Sequence, residues 1–208
     1  DLRQLERTFQ NQPVALMSGN TGSGKTELAL GLAGWIQKTG ARPGGVFYTT
    51  FQVGAGLERV VHEIGTAVAG LPFADLSAPN QRQWVVEYLQ AQPSLIIWDA
   101  LQHAGGNTIE DNAGLLDRAE LEDLDTFLAD AILGGQSWAL LVSRRQEEPW
   151  LAVPNQSYQL PPMGQSDRME LACKIQENTG PSDLTPGDQA DHHMGLPYLE
   201  PVSYTHLT

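Results

Sequence analysis

An α/β fold with a parallel sheet and helices on both of its faces is the class this sequence predicts, on three observations. Short apolar runs of strand type alternate with longer segments of helical periodicity as far as about residue 178. The run at 13–18 passes straight into Gly19-Asn20-Thr21-Gly22-Ser23-Gly24-Lys25-Thr26, which meets the pattern G-x-x-x-x-G-K-[ST] at every fixed position and opens a helix-like stretch. A third apolar run, at 93–98, ends in the acid Asp99.

Taken in order, 2–9 reads as part of an amphipathic helix, and because the chain starts at Asp1 rather than Met an upstream segment is expected to have been cut away. The strand at 13–18 is of buried type. In the loop after it, small residues let the backbone wrap an anion, so that successive N–H groups and the positive end of the next helix point at it. The pattern makes Gly19 to Thr26 a phosphate cradle in which Lys25 reaches the β- and γ-phosphates and Thr26 is a ligand of Mg²⁺. A helix over 27–36 comes next, then breakers at 38–45 and a β-branched and aromatic strand at 46–51. Leu57, Val60, Val61, Ile64 and Val68 keep helical spacing, a Pro/Gly-containing connection leads to a helix over 81–90, and the strand at 93–99 comes after it. Asp99 at its carboxyl end lies where open α/β sheets bind ligands and is expected to hold Mg²⁺ through water.

A loop from Gln102, a helix over 118–133 and Gly134-Gly135 lead to a fourth strand, Trp138 to Val142. It ends in Ser143-Arg144-Arg145. Basic side chains at that rim suit a sensor of the terminal phosphate charge, the alternative being a solvated arginine pair at a strand exit. Tyr158-Gln159-Leu160, stopped by two prolines, reads as a fifth strand, and 165–177 as a last helix. Residues 1–180 are expected to form one domain and the Pro- and Gly-punctuated stretch 181–208 an irregular, disordered tail.

Composition narrows the function. Twelve basic against 25 acidic residues give a formal charge of −13, and no Lys or Arg follows Lys174, so no nucleic-acid binding is expected. Asp117, Glu120, Glu122, Asp123 and Asp125 sit among spaced leucines and read as a solvated helix face rather than a metal site. Cys173 is the single cysteine, which excludes an internal disulfide and a multi-cysteine zinc site; it reads as a buried structural thiol, and His192-His193 as exposed. No apolar stretch approaches a membrane span, so no membrane partner is expected and a cytoplasmic location is the default.

Five stretches, 22–29, 45–48, 95–99, 137–145 and 158–163, carry a resemblance to the nucleotide-binding domain of the STAND ATPases, the signalling group that includes the NB-ARC and NACHT proteins and many bacterial multidomain regulators. It extends over about 2–178. The resemblance implies a three-layer P-loop NTPase fold of the additional-strand class, with five parallel strands in the order 5-1-4-3-2. In nucleotide kinases and small GTPases, by contrast, the two motif strands are neighbours. It also implies ATP and ADP as ligands with Mg²⁺, and a switch that ADP holds closed and ATP opens. An effector domain would precede this segment, helical repeats would follow it, and opened subunits would form a homo-oligomer. The Walker B element falls on Leu95 to Asp99, and Arg144 matches the sensor that feels the γ-phosphate.

Departures from the family pattern shape the expectation. Ala100 follows Asp99 where many P-loop ATPases carry an acid, and 99–102 reads Asp-Ala-Leu-Gln where close relatives often read Asp-Asn-Phe-Glu, which predicts slow hydrolysis. The adenine-contacting h-h-G-R motif and the downstream Gly-x-Pro motif are absent. The last residues, Pro201 to Thr208, resemble a translated sequencing adapter and are expected to be artefactual. An AAA+-like motor or loader and a small-molecule kinase are the alternative functions. The missing acid and the lack of a recognisable trans-acting arginine finger weigh against the first, and the inserted strand against the second.

Overall fold

Strands β1 (Val14–Ser18), β2 (Val46–Thr50), β3 (Leu95–Asp99), β4 (Trp138–Ser143) and β5 (Gln156–Gln159) form one sheet in the order β2-β3-β4-β1-β5. Every pairing is parallel. This is the expected 5-1-4-3-2 order, and the two motif strands β1 and β3 are separated by β4. The structure, a computed structural model, describes residues 2–52, 55–105, 116–162 and 164. The chain divides into units 1–162 and 163–208, and the sheet with its helices belongs to the first. The expected helix over 165–177, the domain boundary near 180, Cys173 and His192-His193 all lie outside the described residues.

Burial along the strands reflects their position. β1 and β3 are buried at every residue and β4 at all but its first, because helices cover both faces of a central parallel strand. The edge strands differ: β2 is half-buried over most of its length, and in β5 only Tyr158 is buried.

Two separate apolar cores sandwich the sheet. On one face, helices α1 (Leu2–Asn11) and α2 (Lys25–Thr39) pack Leu5, Phe9, Ala29, Leu32 and Ile36 against Ala15, Met17, Leu95, Ile97, Leu140 and Val142. On the other, α3 (Leu57–Ala69), α4 (Ala78–Ala91) and α5 (Arg118–Leu128) cover Val14, Leu16, Ile96, Trp98, Ala139 and Leu141. The period of two along each strand therefore decides what a side chain meets. Leu95, Ile97 and Asp99 share the α2 face, and so do Val46 and Tyr48 of the neighbouring β2. That parity aims the carboxylate of Asp99 at the N-terminus of α2.

Several boundaries differ from expectation. α4 begins at Ala78, three residues early, because Pro79 suits a first helical turn and Ser77 is extended before it. The connection before it is itself a 3-10 turn, Leu71–Asp75, which buries Phe73. The helix expected over 118–133 is α-helical to Leu128 and then widens to a π-helical segment, Ala129–Leu133. β5 starts two residues before the expected strand. The acidic face of α5 is partly structural: Asp117 and Glu120 form a capping box, and Asp125 Oδ1 accepts the Ala152 and Val153 N–H groups at 2.8 and 2.9 Å. Among the described residues no helix is long and apolar enough to cross a membrane.

Candidate functional site

The loop Gly19 to Gly24 leaves β1 at the carboxyl edge of the sheet and enters α2 through Gly24, whose φ of 85° only glycine adopts freely. Gly22 has φ 75° for the same turn. At Gly19 space is the constraint, since a Cβ there would lie 3.0 Å from Ser23 Oγ and 3.1 Å from the Leu160 carbonyl. Asn20 and Thr21 line the outside of the loop, the Asn20 carbonyl accepting Ser23 N–H at 3.2 Å.

Lys25 folds back over this loop. Its Nζ donates to the Gly19 and Asn20 carbonyls, both at 2.8 Å. Burial holds the ammonium below its ordinary pKa; Asp99 pulls it up and the positive Arg144 pushes it down again. One position along, the Thr26 hydroxyl donates to Asp99 Oδ2 at 2.9 Å, a contact 73 residues apart in sequence that joins the start of α2 to the end of β3. Asp99 is only 7% exposed. Its Oδ1 accepts the Ala100 N–H at 2.8 Å, and its Oδ2 accepts a second hydroxyl, that of Tyr48 on β2, at 2.8 Å. Burial first, then the Asp99 charge and this hydrogen bond, push the Tyr48 phenol well above its ordinary pKa, so it is a donor at physiological pH.

The residues present fit a phosphate chain and a hard divalent cation. Ser23 Oγ, inside the loop, is buried without a hydrogen-bond partner, as is Ser18 Oγ at the end of β1. No side chain caps α2, so its first N–H groups keep the positive end of the helix open toward the loop. A hydroxyl beside a carboxylate is the oxygen donor set that Mg²⁺ prefers. Lys25 is spent on two carbonyls that it can exchange for an anion.

Beyond β4 the two arginines part company. The charge of Arg144 is felt at Lys25, and its guanidinium lies 3.4 Å from His103 Nε2, while its backbone N–H donates to Gln102 Oε1 at 3.2 Å. Arg145 donates to the Gly105 carbonyl at 2.9 Å and pairs with Glu148 at 3.5 Å, so it ties the end of β4 to the segment after β3. Glu148 is 4% exposed and accepts the Ser143 hydroxyl; burial pushes its carboxyl up, and Ser143 and Arg145 draw it back.

The structure thus brings Thr26 and Asp99 into contact next to Lys25, whose pKa the Arg144 charge lowers. Sequence reasoning missed Tyr48, Gln102 and Glu148. For Tyr48 a signal existed: it lies one strand away from Asp99 on the same face, but only the β2–β3 register, Tyr48 against Ile97 and Thr50 against Asp99, shows that its ring reaches the acid.

No protein-family model matches this chain, and no curated protein does. Solved structures do. A Walker-type ATPase of Pyrococcus abyssi superposes with a TM-score of 0.54 at 13% identity over 83% of this chain, and Drosophila ORC bound to AT-rich DNA and Cdc6 with 0.50 at 13% over 84%. A STAND protein with a tetratricopeptide repeat sensor from Pyrococcus horikoshii matches at 14% identity over 86% with 0.49, too weak a superposition to carry weight. The chain spans 55% of the Pyrococcus abyssi ATPase, 30% of the Drosophila chain and 26% of the STAND protein. Sheet order and superposition together define the class: this is a P-loop ATPase fold.

Proposed function

We propose that this chain binds ATP and ADP with Mg²⁺ at the 19–26 loop and works as a nucleotide-dependent signalling switch with slow hydrolysis. The observation that supports the reading is the Thr26–Asp99 contact beside Lys25, since these two side chains, from separate motifs, are the ones proposed to hold the cation. Lys25 would pass from the Gly19 and Asn20 carbonyls to the phosphates, and the open N–H groups of α2 would face the same oxygens. Thr26 and Asp99 would hold the cation, Asp99 through water. Bound there, Mg²⁺ supplies neutralisation of the phosphate charge.

Slow turnover is expected from the residues that stand after Asp99. Ala100 offers a methyl group, and Gln102, 7% exposed, has its Oε1 engaged by the Arg144 N–H, so neither position supplies a base. A positioned base contributes roughly 10²- to 10⁴-fold. The preference for adenine, the preceding effector domain, the downstream repeats and the nucleotide-driven homo-oligomer rest on the STAND resemblance and belong to this proposal, as does the cytoplasmic location, which rests on the lack of an apolar span in the sequence.

Calorimetric titration of Mg·ATP and Mg·ADP into the 208-residue chain tests it, beside Lys25→Ala. The variant is expected to bind at least about tenfold more weakly, the loss of one charge-assisted contact. Wild-type turnover is expected well below about 1 s⁻¹, the lower end for ordinary enzymes. A folded Lys25→Ala protein with undiminished affinity sinks the site; turnover in the ordinary range sinks the switch.

A further inference from the structure

We propose that Tyr48 is a positioning residue for the divalent cation: its hydroxyl pins the Asp99 carboxylate so that one lone pair of Oδ2 is left for the cation and its water. The inference rests on the nucleotide reading of the same site and adds to it a residue outside both motifs.

A carboxylate offers about four lone-pair sites. In Asp99, Oδ1 accepts the Ala100 N–H, and Oδ2 accepts both the Thr26 and Tyr48 hydroxyls. For Thr26 to become a metal ligand its oxygen must face the cation, which releases its proton from Oδ2. Two donors then remain, Ala100 N–H on one oxygen and Tyr48 O–H on the other, and together they stop the carboxylate from turning about its last torsion. Without Tyr48 the group is held at one oxygen only.

Tyr48 is built for holding still. It belongs to a strand paired in register with β3, and its ring packs, half-buried, against the α2-side core. An aromatic side chain has two torsions to lose. The donated bond also drains some charge from Oδ2, which opposes the effect, but orientation dominates where the carboxylate acts through a directional hydrogen bond to water. Partners that orient a ligand in this way are worth about 10- to 100-fold in metal affinity.

The test measures ATP affinity of the 208-residue chain in Mg²⁺ and in EDTA, for wild type, Tyr48→Phe and Tyr88→Phe. Tyr88 donates its hydroxyl to the Gly44 carbonyl at 3.0 Å and serves as the control for losing a half-buried tyrosine hydroxyl elsewhere. Tyr48→Phe is expected to cut the Mg²⁺ enhancement of affinity about tenfold and to leave the EDTA affinity within about twofold, while Tyr88→Phe changes neither. Tyr48→Met, which fills the space with neither ring nor donor, must show the same loss, so that the result does not hang on one variant folding well. An enhancement that is unchanged or larger in the Tyr48 variants overturns the proposal while leaving the nucleotide site standing. A wild type with no Mg²⁺ enhancement overturns both.

Discussion

Ala100 has φ 60° and ψ 37°, and among the described residues it is the one non-glycine with a positive φ. Its left-handed conformation swings the chain from β3 into the 3-10 turn Leu101–His103, directly after the peptide whose N–H bonds Asp99 Oδ1. For an alanine the left-handed region costs about 1–2 kcal/mol. Asparagine tolerates it, because its short polar side chain bonds locally. Ala100→Asn is therefore expected to raise the unfolding free energy by about 0.5–1 kcal/mol, read as a higher urea midpoint at unchanged slope. A lower midpoint would show that relief at this backbone position is outweighed by the new side chain. The residue scale is also where the sequence is most and least readable. Lys25, Thr26 and Asp99 occupy positions that a motif specifies one by one. Tyr48 belongs to no motif, and its role exists only through the register of two strands, 51 residues apart from ring to acid.

At the scale of elements, α3 carries a glycine in its buried face where helix propensity alone would favour alanine. A Cβ at Gly65 would lie 2.1–2.3 Å from three ring carbons of Phe73, which is 1% exposed and meets Trp84 edge-on at 5.5 Å. Alanine gains about 1 kcal/mol of helix propensity, whereas overpacking a closed core costs about 1–3 kcal/mol. So close an approach to a buried ring puts the cost at the upper end of that range, and after the propensity gain Gly65→Ala is expected to lose about 2 kcal/mol of stability in chemical denaturation. In a Phe73→Leu background the same substitution should cost less; an equal cost in both would place the penalty somewhere other than the ring. From sequence the 3-10 turn that carries Phe73 shows only as a connection, because a five-residue turn has no period to detect. The central strands are legible because both of their faces are apolar. β5 is legible only from Tyr158 onward, since Gln156 and Ser157 are exposed on an edge and show no alternation. The start of α4 is hidden for a related reason: its first turn, Ala78 to Gln81, is exposed or half-buried and carries no apolar stripe.

For the molecule as a whole, the question is how a bound anion on one strand could be felt elsewhere. A ligand shifts an equilibrium only by its difference in affinity for two states, so a switch needs a contact that ATP makes and ADP lacks. In the proposed switch Arg144 would make that contact: its charge lowers the Lys25 pKa, and its backbone N–H is tied to Gln102 in the turn after the Asp99 strand. Arg145 adds a second tie, to the Gly105 carbonyl and to the buried Glu148. The end of β4 and the segment after β3 are thus fastened together, which in the proposed switch would couple Arg144 to residues 101–105. Arg144→Ala is expected to weaken ATP by about 10-fold or more, the worth of one charge-assisted contact to phosphate, and ADP by less than about threefold. Paired titrations of the two nucleotides in Mg²⁺ give the ratio directly, and hydrogen exchange over 101–105 in the presence of each gives the coupling. Equal losses for ATP and ADP would make Arg144 a general phosphate contact, and the tie to the 101–105 segment would then carry no nucleotide-dependent signal.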